Sequence, residues 1–349
     1  MPTQKAKSFA QKVKQKLQKE KEAGEKPKVA IEWTGSCGGC DSAIVGIGEK
    51  LLEVGDQVEL VLWPVATDFK YKDLDDLDEN EIDLTLFNGA IRQEEHREMA
   101  EQLREKSEVM VAFGACAHMG GITSFADIKG TEAVLDTKYE EVKTIESGER
   151  PKKVIEKENG TLTMPMLNEE VHPLSHEVEV DYIMPGCPPS REKIENFLLN
   201  VLEGDLPPRG SVVAGEKNLC SECDRERGDR SIKTFNRPHE KEVDPDKCLL
   251  DQGIMCMGPV TRSGCGTRCV DVGVPCRGCY GPTNAEDVGA KFASAIGSVI
   301  EPEDEEEIEE TVENVKDFTG FTHYFSFGST PLKEHFMKVR ERERGDSRE

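Results

Sequence analysis

From Lys28 onward, short apolar runs alternate with stretches of mixed charge, and the alternation predicts a strand–loop–helix repeat. Val29-Ala-Ile-Glu-Trp33 is a first strand, followed by Thr34-Gly-Ser-Cys-Gly-Gly-Cys40 and a helical stretch from Asp41 to about Val54. Val58-Glu-Leu-Val-Leu-Trp63 and Ile82-Asp-Leu-Thr-Leu-Phe87 are the second and third strands, and a charged helix spans roughly Gln93 to Lys106. Val109-Met-Val-Ala-Phe113 is the fourth, and Asp181-Tyr-Ile-Met184 a fifth, followed by a helix from Ser190 to about Leu202. Strands alternating with helices imply an α/β fold with a doubly wound parallel sheet.

The pattern weakens elsewhere. Residues 1–27 form a basic, helix-prone extension in which Phe9, Val13 and Leu17 recur at one-turn spacing. Three apolar positions are few for a packed helix, so the expectation is a frayed, solvated tail, with docking on a partner as the sharper alternative. Residues 125–178 are polar and charged and read as an insertion with little core. After Leu206-Pro-Pro208 apolar runs become scarce, while residues 209–282 are rich in Gly, Pro and Cys. Beyond Pro282 a helix is expected from Asp287 to Ile300, then an acidic run from Glu301 to Glu310 suited to the start of a helix. Residues 286–349 thus read as a helical, acidic tail.

Composition narrows the chemistry. The 349-residue chain has a formal net charge of −24, a field that repels nucleic acid and anionic membrane. It contains no apolar run of membrane-spanning length and no secretory signal at its start, so a cytoplasmic location is expected. In a reducing compartment its 12 cysteines are better suited to soft-metal ligation than to disulfides. Twelve also divides into three sets of four, the requirement of a four-iron cluster.

The first set is Cys37 and Cys40, Cys116 within Gly114-Ala-Cys-Ala-His-Met-Gly-Gly121, and Cys187 within Gly186-Cys-Pro-Pro189. Each lies just beyond a predicted strand, where open α/β sheets bind ligands. Flanking glycines let backbone approach a bulky inorganic group and aim N–H donors at its sulfurs. The other eight cysteines group by sequence proximity into Cys220, Cys223, Cys248 and Cys256, and Cys265, Cys269, Cys276 and Cys279. Each group closes compact loops and includes a Cys-x-x-Cys bite. A swap of Cys256 or Cys265 between the groups stays open, as does zinc in place of iron. A region this poor in apolar runs needs bound metal as staples.

The order Cys-x-x-Cys, Gly-x-Cys-x-x-x-Gly-Gly, Gly-Cys-Pro-Pro resembles the proximal-cluster signature of nickel–iron hydrogenase small subunits. The related small subunit of respiratory complex I shares the later motifs but has adjacent cysteines first, where this chain separates Cys37 and Cys40 by two glycines. The stretch from Cys248 through Ile-Met-Cys-Met to Cys265, and Pro275-Cys-Arg-Gly-Cys-Tyr-Gly-Pro282, look like the gamma subunit of viologen-reducing, deazaflavin-nonreducing hydrogenases of methanogens and relatives. The resemblance covers about residues 28–285. It implies a flavodoxin-like domain over 28–205, an iron–sulfur region over 206–285, and three 4Fe-4S clusters. These would be proximal (Cys37, Cys40, Cys116, Cys187), medial (Cys265, Cys269, Cys276, Cys279) and distal (Cys220, Cys223, Cys248, Cys256). Cys220 stands where periplasmic relatives have a distal histidine ligand, and Cys269 supplies a fourth medial ligand. The resemblance further implies a large-subunit partner that splits hydrogen at a nickel–iron centre. A small iron–sulfur subunit linked to heterodisulfide reductase would accept the electrons.

Two polar residues accompany the first set. Asp41 sits where the family often has an acid suspected in proton transfer, although a carboxylate opening a helix also serves as a cap or dipole partner. His118 lies in the Cys116 loop, as a tuning group, a partner contact or an ordinary surface histidine. Rival readings are a complex-I-like oxidoreductase subunit and a zinc-bearing structural or interaction protein.

Overall fold

The computed structural model describes residues 4–346 except 147–148, 229–231, 284–287, 301–303 and 316. Chain order begins with α1 (Gln4–Ala23), β1 (Lys28–Trp33), α2 (Gly39–Val45), α3 (Lys50–Gly55), β2 (Glu59–Leu62) and β3 (Ile82–Asn88). It continues with β4 (Ile91–Gln93), α4 (Glu94–Lys106), β5 (Ser107–Phe113), α5 (Ala115–Met119), α6 (Ala126–Lys129) and α7 (Thr131–Asp136). Then come β6 (Val154–Lys157), β7 (Gly160–Thr163), β8 (Leu167–His172), β9 (Tyr182–Met184) and α8 (Arg191–Glu203).

The main sheet has the order β2-β1-β3-β5-β9, every pairing parallel. Counted within the sheet alone this is 2-1-3-4-5, the flavodoxin-like arrangement. Residues of β3 and β5 are buried throughout, as central parallel strands covered on both faces must be. On one face Ile31, Leu84, Val111 and Phe113 pack against Ile44, Ile194 and Phe197. On the other, Phe87, Met110 and Ala112 meet Leu74, Met99 and Leu103.

The expected strands are all present, with ends shifted by a residue or two. The single helix expected from Asp41 to Val54 is two, α2 and α3, because Gly48 adopts φ +72° in the intervening turn. The tail expectation for residues 1–27 is overturned. Val13 and Leu17 are 1% and 5% exposed and join the core of the chain's own sheet domain. Lys12 pairs with Glu108 at 2.9 Å, and Lys16 pairs with Asp83. Two buried aliphatic side chains contribute about 1.5–3 kcal/mol each, enough to hold an amphipathic helix that would otherwise fray.

Within the 125–178 stretch the β6–β7 hairpin is exposed along its length, while Leu135, Val171 and Leu174 are buried. The stretch is tied back by β8, paired antiparallel with β4, by Leu174 in the sheet core, and by Asp127, which pairs with Lys333 near the C-terminus at 3.0 Å. The C-terminal part comprises α9 (Arg268–Asp271), α10 (Val288–Gly297), α11 (Glu305–Glu313), α12 (Phe318–Thr322) and α13 (Pro331–Asp346). The expected helix start at Asp287 and the first residues of the acidic run, Glu301 to Glu303, lie outside the described residues. Asp304 caps α11 by accepting from the Glu306 N–H at 2.9 Å, with Glu305, Glu306 and Glu307 in the first turn.

One expectation for residues 209–282 needs correcting. They contribute to a hydrophobic core in which Leu219, Phe235, Leu249, Ile254, Met257 and Val260 meet Val288, Phe292 and Ile296 of α10. These residues come from loops and from a helix far along the chain, so no local period announces them. No helix among the described residues is long and apolar enough to cross a membrane.

Candidate metal centre

The carboxyl ends of β1, β5 and β9 converge on one loop cluster. Cys37 precedes α2, Cys40 lies in its first turn, Cys116 lies in α5 and Cys187 follows β9. The Gly114 N–H bonds the Met184 carbonyl at 2.8 Å and the Ala115 N–H bonds the Gly186 carbonyl at 2.7 Å, clamping the Cys116 loop to the Cys187 loop. A Cβ at Gly114 (φ +90°) would lie 2.5 Å from Cys40 Sγ, and one at Gly121 (φ +60°) 2.5 Å from Cys116 Sγ. Both positions are therefore closed to side chains by conformation and by the thiols they face. Burial raises the Cys40 thiol well above its ordinary range, and the neighbouring Cys116, Cys187 and Cys37 add to it. Cys116 is pushed up to about 12 by burial and then by Cys187 and Cys37. Cys40, Cys116 and Cys187 are thus disfavoured as thiolates unless a cation accompanies them, the condition a bound metal meets.

A cavity of about 580 Å³ lies beside this group and is lined by Cys265, Cys269, Cys276 and Cys279, with Cys187 also on its wall. Burial raises Cys279 to about 12, and Cys187, Cys265 and Cys269 contribute to the rise. Cys276 is raised well above its ordinary range, first by burial and then by Cys256. Its sulfur lies 3.5 Å from the Thr261 hydroxyl.

Cys256 is pushed up to about 12 by burial, with Cys220 and Cys248 as the neighbouring thiols that add to it. The Cβ position of Gly258 lies 3.1 Å from Cys220 Sγ and 3.7 Å from Cys256 Sγ. Cys256 has Cys220 and Cys248 among its neighbours but also adjoins Cys276, and Cys279 has Cys265 and Cys269 but also Cys187, so the neighbourhoods overlap. Cys223 packs half-buried against the surrounding core. The Cys276 N–H donates to Cys256 Sγ at 3.3 Å, so the two groups adjoin.

Asp41 is buried and does not cap a helix. Its Oδ1 accepts from Trp63 Nε1 at 2.9 Å and its Oδ2 from Asn88 Nδ2 at 3.1 Å, while Asn88 Oδ1 accepts from the Ser36 hydroxyl at 2.8 Å. The network braces the Cys37–Cys40 loop against the ends of β2 and β3. His118 has a buried Nδ1 without a hydrogen-bond partner, and burial, then Arg262, lowers its pKa to about 4. The ring is half-buried, with Nδ1 turned inward.

Two residues that motif reading passed over stand out. Glu32, inside the apolar run of β1, is 1% exposed; it accepts from the Tyr71 hydroxyl at 3.0 Å, and its Oε2 has no hydrogen-bond partner. Burial raises its pKa from 4.5 to about 7. The signal was a lone carboxylate in a buried strand. The other is Arg277, between Cys276 and Cys279, whose environment depends on aromatic residues over 40 positions away and had no local signal.

Residues 37–201 match the family model described as NADH ubiquinone oxidoreductase, 20 Kd subunit. The chain is 35% identical to an iron–sulfur subunit of the F420-non-reducing hydrogenase of Archaeoglobus profundus, over 79% of this chain and 89% of that one. It is 34% identical to a subunit of the F420-non-reducing hydrogenase of Methanothermobacter marburgensis, over 88% and 97%. Among solved structures it matches a chain of an NAD+-reducing [NiFe]-hydrogenase with a TM-score of 0.45 and 30% identity, over 52% of this chain and 94% of that one. Near-complete coverage of two relatives, with the thiol groups in the order described, leads to one assignment: the chain belongs to the family of F420-non-reducing hydrogenase subunits that these two relatives represent.

Proposed function

We propose that the chain is the electron-relaying subunit of a cytoplasmic nickel–iron hydrogenase and holds three 4Fe-4S clusters. The observation that carries this reading is the cavity of about 580 Å³ walled by Cys265, Cys269, Cys276 and Cys279, with Cys187 of the first group on the same wall. Cys37, Cys40, Cys116 and Cys187 would hold the proximal cluster. Cys265, Cys269, Cys276 and Cys279 would hold the medial one, and Cys220, Cys223, Cys248 and Cys256 the distal one. When bound, such clusters pass single electrons.

The residues bind, orient and exclude water. The clamped loops fix the proximal thiols at the sheet edge. The Cys276 N–H donates to the Cys256 sulfur, where a donor tunes a cluster's charge, while the Thr261 hydroxyl donates to the Met257 carbonyl and accepts from the Cys276 thiol. Asp41 is read as a bracing residue rather than a proton carrier, because both its oxygens already accept hydrogen bonds. Hydrogen would be split in a separate large subunit, and a small iron–sulfur subunit linked to heterodisulfide reductase would take the electrons.

Anaerobic purification of the native complex tests the reading. About twelve iron atoms per chain, paramagnetic signals on reduction, and hydrogen-dependent dye reduction are expected. About two zinc with little iron would overturn it in favour of a structural protein. The matched model of the complex I subunit favours a second reading, an oxidoreductase unrelated to hydrogen. An iron-replete complex inert to hydrogen would select that one. Co-purification with a small iron–sulfur subunit tests the acceptor; recovery of the two hydrogenase subunits alone would count against it.

A further inference from the structure

The Cys276-Arg-Gly-Cys279 loop places a cation between two thiols of the medial group. The guanidinium carbon of Arg277 lies 4.5 Å from the ring centre of Phe321 and 4.5 Å from that of Tyr324. Its Nε is buried and has no hydrogen-bond partner. Arg277 also lines the cavity that Cys265, Cys269, Cys276 and Cys279 share. Phe325, from the same C-terminal segment as the two rings, reaches that wall as well. A guanidinium does not deprotonate in proteins, so the loop carries a permanent charge. Two aromatic faces stack on that charge, which has both Asp317 and Cys276 in its surroundings; a free arginine would extend toward water, where its field is screened.

We propose that Arg277, clamped between Phe321 and Tyr324, is the fixed counter-charge of the medial cluster and raises its reduction potential. The proposal rests on reading this cavity as a cluster site. Four thiolates around a four-iron cube leave a net negative charge, and uptake of one electron makes it more negative by one. A cation in a low-dielectric wall therefore stabilises the reduced form more than the oxidised one. Arg277 acts by its field, and Phe321 and Tyr324 are positioning residues that keep it in place. The C-terminal segment thereby becomes part of the electron relay although it contributes no thiol.

The test is a redox titration, monitored by electron paramagnetic resonance, of the complete hydrogenase complex. The medial signal is identified as the one lost in Cys269→Ala. Arg277→Gln should move the medial midpoint to a more negative potential at unchanged iron content, and Arg277→Lys should restore most of it. Phe321→Leu, which keeps the charge but opens the clamp, should give a smaller shift of the same sign. A merely structural role would change iron content or stability without moving the midpoint. Wild-type midpoints in Arg277→Gln and Phe321→Leu at full iron would overturn the proposal. If Arg277→Gln loses iron, Phe321→Leu decides: a negative shift supports the proposal and none refutes it. A wild-type protein with no medial signal and about eight iron atoms would instead fail at the cluster reading, and the proposal would fall with it.

Discussion

The sheet domain and the cysteine-rich region that follows it solve the same folding problem by different means. In the first, β3 and β5 are buried from end to end and helices cover both faces, so two cores, one on each face, are built from residues with a readable period. In the second, apolar residues scattered through loops gather around α10, with Cys256 and Cys276 buried among them. In the proposed reading, metal would sit at the strand ends, beside the sheet cores, and within the loops that build the second region. The difference implies that losing a ligand should be a local event in one region and a structural one in the other.

The largest expected effect follows. Cys276→Ala removes a buried thiol, the proposed ligand of a residue whose own N–H donates to Cys256. Residues 209–282 should become protease-sensitive, because cluster binding contributes directly to folding there. Cys40→Ala should remove about a third of the iron yet leave the sheet domain protected. Iron chelation of the wild-type protein should produce the same contrast in hydrogen exchange: fast in the C-terminal region, slow in β3 and β5. Equal loss of protection in both regions would dissolve the distinction.

Next is the sheet core itself. Phe87 is 0% exposed in β3. Phe87→Ala should cost about 3–5 kcal/mol, with the same loss in metal-free and metal-loaded protein by denaturant titration. A penalty that vanished without metal would mean that the sheet, too, is stapled by its cluster.

What was legible in the sequence divides along the same line. The five strands and the cysteines at their ends could be read because parallel strands leave contiguous apolar runs and loops at fixed places. The packing of Val13 and Leu17 could not, since three apolar positions in a basic helix suit a free tail as well as a docked one. The third core was hidden because Leu219, Leu249 and Phe292 meet only after the chain has closed loops tens of residues long. That Cys256 and Cys276 adjoin became visible only when the loops were folded. Arg277 had no local signal at all.

Glu32 sharpens the comparison from within the readable domain, where one polar residue interrupts the apolar pattern of β1. Burial raises its folded pKa from 4.5 to about 7, with Glu95 and Asp41 opposing its ionisation and the Tyr71 hydroxyl favouring it. The folded state therefore binds this proton more tightly than the unfolded one. Its contribution to stability is greatest below about pH 4.5 and is lost as the pH rises toward 7. Glu32→Gln removes the ionisation and should stabilise the protein at pH 8 by up to about 3 kcal/mol. The advantage should shrink steadily as the pH is lowered to 5. Thermal melts of both proteins across that range check it; a pH-independent difference would show that Glu32 does not titrate between them.

The smallest effect probes the seam between the two regions. The Ser190 N–H, just before α8, donates to the Tyr280 hydroxyl at 3.3 Å, one residue beyond Cys279. The bond is long and neutral at both ends, so Tyr280→Phe should cost about 0.5–1.5 kcal/mol and leave iron content unchanged. Its value lies in where the loss appears. If the regions unfold as one cooperative unit, the variant lowers a single calorimetric transition by a few degrees. If the C-terminal region unfolds first, the seam opens in that step, and only the lower transition moves while the sheet domain's stays fixed. A shift confined to the upper transition would contradict both cases, because a bond to Tyr280 cannot survive the unfolding of the loop that carries it.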